Sequence, residues 1–183
     1  MRAAVLVLLT LSSTALADNE APNAYEPGTV RLYAGPVLWV PFAANNFDIF
    51  ALGGTLAAQW YVDARRMFFI GARLAFLGDP QGMGAGYVGG FADAEAGVRP
   101  RLVLGRKSAF AVLVSGGVGG GFVSCGACSS LYTTGYAHLS LRAGLGFDFG
   151  AFTMDALGGP TVLVNGNGNA DAIEALVELG VRF

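Results

Sequence analysis

Cys125 and Cys128 stand as C-x-x-C within Ser124–Tyr132, the spacing of a redox dithiol, of half a metal site or of a small disulfide clip. They are the only two cysteines, so no second pair completes a zinc set. A thioredoxin-like site would need a βαβ setting that the surrounding residues lack. The pair reads as a disulfide stapling a loop, with free thiols or a redox or metal pair as alternatives. Gly84-Ala85-Gly86-Tyr87-Val88-Gly89 matches G-x-G-x-x-G, but a dinucleotide turn follows a strand and opens a helix. Here the run follows Asp79-Pro80 and leads into an alternating segment, and 28 Gly in 183 residues make such a match unsurprising. His138 and Ser140 are a base and a nucleophile two residues apart, without a recognisable third group to orient them. No catalytic, cofactor-binding or metal-ligating residue is therefore assigned, and no cofactor is expected. Arg73, Asp93, Glu95, Arg99, Arg142, Glu174 and Glu178 interrupt apolar or Gly-rich surroundings. Isolated charges of both signs suit an interior ion network, since a charge away from water needs a counter-charge.

The elements carrying these residues have period two. In Tyr136–Phe149, Ala137, Leu139, Leu141, Ala143, Leu145, Phe147 and Phe149 alternate with Tyr136, His138, Ser140, Arg142, Gly144, Gly146 and Asp148. One face is apolar and the other polar or Gly, as in a strand with different solvents on its two sides. The chain ends the same way, with Ile173, Ala175, Val177, Leu179, Val181 and Phe183 against Glu174, Leu176, Glu178, Gly180 and Arg182. Asp171–Leu179 can also be read as a helix, but Gly180 would fall inside it and the alternation continues to the last residue. Tyr87–Leu104, Arg66–Leu77 and Phe50–Val62 alternate clearly; Phe110–Phe122, Thr29–Phe42 and Phe152–Val164 do so less clearly, the last two carrying Pro36 and Pro160. That makes eight strands.

Composition bounds the class. Hydrophobic residues make up 54% of the chain and charged ones 13%, with a net charge of −2, so nothing basic invites nucleic acid and disorder is excluded. Past the N-terminus no apolar run is long enough for a spanning helix. Met1-Arg2, the apolar Ala3–Leu11 and the A-x-A ending at Ala17 form a secretory signal peptide over residues 1–17. Residues 18–28, with two Pro and no periodicity, read as a periplasmic N-terminal tail, leaving 29–183 as one domain.

Connections near Asp63-Ala64-Arg65, Gly105–Ser108 and Gly150-Ala151 are tight, whereas Pro41–Phe47, Gly78–Gly86, Ser124–Thr134 and Asn165–Asp171 are longer. Short turns at one end and longer loops at the other predict an all-β fold: a closed, antiparallel, up-and-down, eight-stranded transmembrane β-barrel. A soluble β-sandwich would also alternate, but its charges would face water. Turned inward, Arg31, Arg73, Arg99, Arg101, Arg142 and Arg182 balance Asp93, Glu95, Asp148, Asp155, Glu174 and Glu178. Arg73 and Arg142 are expected to pair with Asp93, Glu95, Glu174 or Glu178 in the central layer. Outward aromatics gather at both strand ends, with Trp60, Phe68, Phe110, Phe147, Phe149, Phe152 and Phe183 towards the turns and Phe42, Phe50, Phe76 and Phe122 towards the loops.

On these residues the chain resembles the small outer-membrane barrels of Gram-negative bacteria, the OmpA/OmpX type. The sharpest point of likeness is Val177-Glu178-Leu179-Gly180-Val181-Arg182-Phe183. The resemblance implies an outer-membrane location among lipid and lipopolysaccharide, and a C-terminal signal (Leu179, Val181 and Phe183) for periplasmic chaperones and the barrel-assembly machinery. It also implies a non-enzymatic, structural or surface-interaction role, in a monomer with a plugged lumen. His138-Leu139-Ser140 is similar to the His and Ser of outer-membrane lipid A deacylases. It departs from them because Phe152 stands where a Glu would follow and both side chains face inward. A lipid-modifying enzyme and a narrow pore are the alternatives.

Overall fold

The computed structural model describes residues 29–41, 51–63, 68–78, 87–105, 107–125, 132–166 and 168–183. The expected signal peptide and tail, Phe42, Phe50, Cys128 and the side chain of Cys125 lie outside them.

Nine strand runs follow one another: β1 (Val30–Pro41), β2 (Ala51–Asp63), β3 (Phe68–Gly78), β4 (Tyr87–Val98), β5 (Arg101–Val103), β6 (Ser108–Cys125), β7 (Tyr132–Phe149), β8 (Phe152–Asn165) and β9 (Gly168–Arg182). All pairings are antiparallel. The order β4-β3-β2-β1-β9-β8-β7-β6-β5 closes on itself through β4–β6. The nine runs are eight barrel strands, because β4 and β5 are one. Val98 faces Val114 and Arg101 faces Ala111 in unbroken register along β6, and the Val112 N–H donates to the Pro100 carbonyl at 3.0 Å. Pro100 interrupts the run because it has no N–H to give the ladder. The sandwich and the C-terminal helix are both excluded; Asp171–Leu179 lies wholly in β9.

The turn between β7 and β8 is Gly150-Ala151, with Gly150 at φ 62°, a left-handed position suited to a residue without Cβ. One expected loop is corrected. Asn165 pairs with Gly168, so only two residues connect β8 to β9, in place of a loop over Asn165–Asp171. The Asn- and Gly-rich composition there marks a hairpin turn, which uses the same residues. The β6–β7 connection also shortens to 126–131, because pairing continues to Cys125 and Tyr132.

The alternation read from the sequence is the in-out alternation of the wall. Leu52, Leu56, Ile70, Leu74, Val112, Val118, Leu139, Leu141, Leu145, Met154, Ile173 and Val177 all face outward and are exposed. Thr55, Gln59, Arg73, Asp93, Glu95, His138, Arg142, Glu174 and Glu178 face inward and are buried. Exposed Trp60, Phe68, Phe147, Phe149, Phe152 and Phe183 ring the turn end, and Phe76 and Phe122 stand towards the loop end. An apolar exterior around a polar interior is stable only where the outside solvent is hydrocarbon, and closure leaves no backbone edge unpaired there.

Candidate functional site

The lumen holds the chemistry-bearing side chains in successive layers. At the turn end, Asp148 of β7 accepts from Arg31 at 2.9 and 3.3 Å, from Arg99 at 2.8 and 2.9 Å, and from Arg101 at 3.5 Å. Arg99 Nη2 reaches Asp155 at 2.6 Å and Thr153 Oγ1 at 2.8 Å. The Arg31 guanidinium lies over the Tyr61 ring, 5.4 Å from its centroid, an arrangement the ring quadrupole favours.

In the centre, Arg73 of β3 donates Nε to Glu95 at 3.2 Å and Nη1 to Glu178 and to Thr55 Oγ1. Thr55 Oγ1 donates to Glu178 at 2.6 Å, and Gln59 Nε2 donates to Glu95 at 3.1 Å. Arg142 of β7 donates Nε to Glu174 at 2.9 Å and Nη2 to Asp93 at 3.2 Å, and its Nη1 stands 3.7 Å from Glu95. Glu95 thus ties the two central arginines together. Five strands meet in this layer, and both arginines are fully buried.

Above it, His138 Nδ1 lies 2.7 and 2.8 Å from the two Asp93 oxygens, and Nε2 lies 2.6 Å from Thr161 Oγ1. Trp39, Phe91, Leu77, Tyr136, Leu163 and Leu176 belong to the apolar cluster that fills the remaining space. Glycines make room for the long side chains. A Cβ at Gly117 would come within 2.6 Å of Ser140 Oγ and 3.0 Å of Arg142 Nη1, and one at Gly121 within 2.7 Å of the Tyr136 hydroxyl.

The structure brings Arg73, Asp93, Glu95, Arg142, Glu174 and Glu178 into one connected layer, and places Arg99 in the separate turn-end cluster. Arg182 is corrected: it is only half-buried, and no ion pair engages its side chain among the described residues. Being the last residue of β9, it sits where the wall ends and water is within reach. Ser140 and His138 do not form a dyad, because His138 Nε2 is bonded to Thr161 and Ser140 Oγ has no partner. Thr161 escaped the sequence reading, although it occupies an inward position on β8, the kind of position at which a polar residue signals the network. Leu179 and Phe183 are exposed and Val181 half-buried on the outer face of β9, which closes the wall against β1.

No protein-family model and no curated protein matches the chain. Solved structures do. Neisserial surface protein A superposes over 86% of this chain and 96% of its own, with a TM-score of 0.58 and 9% identity. Ail, the attachment invasion locus protein of Yersinia pestis, covers 86% of this chain and 100% of its own, with a TM-score of 0.55 and 13% identity. The chain has the small outer-membrane barrel fold. The N-terminal β-barrel domain of Pseudomonas aeruginosa OprF shares it, at a TM-score of 0.55 and 14% identity over 85% of this chain and 98% of that one. At such identities the likeness is one of architecture. In a small outer-membrane barrel of eight strands the interior is just wide enough for side chains, and here two ion clusters and an aromatic layer occupy it.

Proposed function

We propose that this chain is an integral outer-membrane protein with a structural or surface-interaction role, that it is not an enzyme, and that its lumen does not conduct. The observation that carries this reading is the pairing of an apolar exterior on every strand with fully buried Arg73, Arg99 and Arg142 across the lumen. Ion pairs spanning the lumen support a plugged interior over a channel and engage the charged groups that could otherwise meet a substrate. Inward-facing His138 and Ser140, away from lipid, count against a lipid-modifying enzyme. The role then falls to the outer wall and to the connections at 42–50, 79–86 and 126–131, the last of which a disulfide between Cys125 and Cys128 would brace. Leu179, Val181 and Phe183 are proposed as the contacts that periplasmic chaperones and the barrel-assembly machinery read. The barrel is proposed to act as a monomer among outer-membrane lipid and lipopolysaccharide.

The test is the migration of the outer-membrane fraction on gels with and without boiling, followed by planar-bilayer recording of the purified protein. A heat-dependent shift and silent bilayers are expected. A band that never shifts removes the closed barrel, steady conductance removes the plug, and altered lipid A in overexpressing cells removes the non-enzymatic role.

A further inference from the structure

We infer that the central layer holds one internal water, seated over Gly117 and shared by Asp93, Glu95, Ser140 and Arg142. The site starts from a cross-strand row. Glu95 of β4, Gly117 of β6 and Ser140 of β7 stand side by side in the paired register, all on the inner face. Gly117 brings no side chain, so a carboxylate and a hydroxyl flank a position without one. A Cβ there would lie 2.6 Å from Ser140 Oγ, 3.0 Å from Arg142 Nη1 and 3.1 Å from Asp93 Oδ2. Three polar atoms thus converge on the one place in this row where the wall carries no side chain.

Two of those atoms have unmet bonding capacity. Ser140 Oγ and Arg142 Nη1 are buried and make no hydrogen bond within the protein. Arg142 spends its other donors on Glu174 through Nε and on Asp93 through Nη2. Nη1 stands 3.7 Å from Glu95 Oε2, too far for a direct hydrogen bond and a separation that a water can bridge. A buried guanidinium N–H left without an acceptor is costly, so this one needs an acceptor.

The chemistry of the surroundings selects the occupant. Arg142 repels a cation, and Asp93 and Glu95 repel an anion. A neutral group has to accept from Nη1 and donate to both carboxylates, while the Ser140 hydroxyl can give or take a proton. Water does all of this, and polar partners on every side are what a buried water requires. The lumen of eight strands is just wide enough for side chains, which excludes anything larger. The water gives Ser140 a place in the network that it lacks as a nucleophile. It also joins the Asp93–Arg142 pair to the Glu95–Arg73 pair.

The test is water-selective 15N spectroscopy of the deuterated wild-type barrel refolded in lipid, with Ser140→Ala and Gly117→Ala prepared alongside. The probe is water itself. A long-lived water cross-peak is expected at the Gly117 and Ser140 amides of the wild type. Ser140→Ala should keep the peak at Gly117, since three partners remain, and Gly117→Ala should lose it, because the methyl group takes the space. No peak in the wild type overturns the site. A peak that vanishes in Ser140→Ala belonged to the exchanging hydroxyl proton and overturns it too. Retention in Gly117→Ala, or equal peaks at amides all along β6 and β7, overturns the placement. Heat-dependent gel migration shows which variants are folded; if Gly117→Ala is not, the wild-type and Ser140→Ala spectra decide.

Discussion

Arg142 shows what a single side chain does in this lumen. Its guanidinium holds Glu174 at 2.9 Å and Asp93 at 3.2 Å, and it shares Glu95 with Arg73. The desolvation of all four charges is compensated only while the set is complete. Arg142→Ala removes the cation that Glu174 and Asp93 share and that stands beside Glu95. The expected loss is about 3–5 kcal/mol of unfolding free energy, read as a lower urea midpoint in lipid vesicles and a lower temperature for the heat-dependent gel shift. An unchanged midpoint would mean that Asp93 and Glu174 find other partners. The anchoring role of Arg142 was legible from its sequence, because a lone Arg between Leu141 and Ala143 on the polar face of an alternating strand has to meet an acid across the tube. The identity of that acid was not. Arg142, Asp93 and Glu174 lie on three strands, and which carboxylate comes opposite depends on the stagger of the closed sheet, to which no local pattern refers. The partners of His138 were hidden for the same reason, since Thr161 and Asp93 are contributed by β8 and β4.

Strands β7 and β9 announced their faces because apolar and polar or Gly residues alternate along most of their length, with Leu176 the main departure in β9, and period two converts directly into in and out. Two local features resisted the same reading. The break at Arg99-Pro100 leaves the alternation intact, so only the missing Pro100 donor reveals it, and the short connection between Asn165 and Gly168 is written in the same Asn and Gly residues that fill loops. The Gly-rich β6 lies between these cases, since glycine has no side chain to mark a face. Its glycines nevertheless have different jobs. A Cβ on inward-facing Gly119 would collide with the Ala92 carbonyl oxygen and come within 2.6 Å of Asp93 Oδ1, whereas one on outward-facing Gly116 meets nothing closer than the Ser140 carbonyl at 3.8 Å. Gly119→Ala should therefore cost about 1–3 kcal/mol through forced backbone movement. Gly116→Ala should be close to neutral, within about 0.5 kcal/mol. Paired urea melts of the two variants check this, and equal effects would show that the wall has no sidedness at β6.

At the scale of the whole molecule, the exterior is ordered along the barrel axis as well as around it. Phe122 pairs across to Gly135 near the loop end, and Phe147 pairs with Phe110 near the turn end, so Leu141 lies midway along β7 between the two aromatic levels. It is 56% exposed, as expected of a side chain that faces acyl chains. Leu102 is 65% exposed but pairs with Phe110, within the turn-end aromatic level where headgroups and water begin. If the outer solvent were water, arginine would be tolerated equally at both positions. In a bilayer its cost depends on depth, about 2–4 kcal/mol at the midplane and about 0–1 kcal/mol at the interface. Leu141→Arg should accordingly destabilise the refolded barrel by a few kcal/mol, while Leu102→Arg should leave it near wild type; equilibrium unfolding of both variants in phospholipid vesicles gives the comparison. The two substitutions are chemically identical and both start from exposed leucines, so their difference isolates the solvent. Equal, small effects would place water against the middle of the wall and overturn the membrane-spanning assignment of the strands. A large effect confined to Leu141 would fix the centre of the hydrocarbon at the level of Arg142, where the charged plug inside stands back to back with the lipid outside.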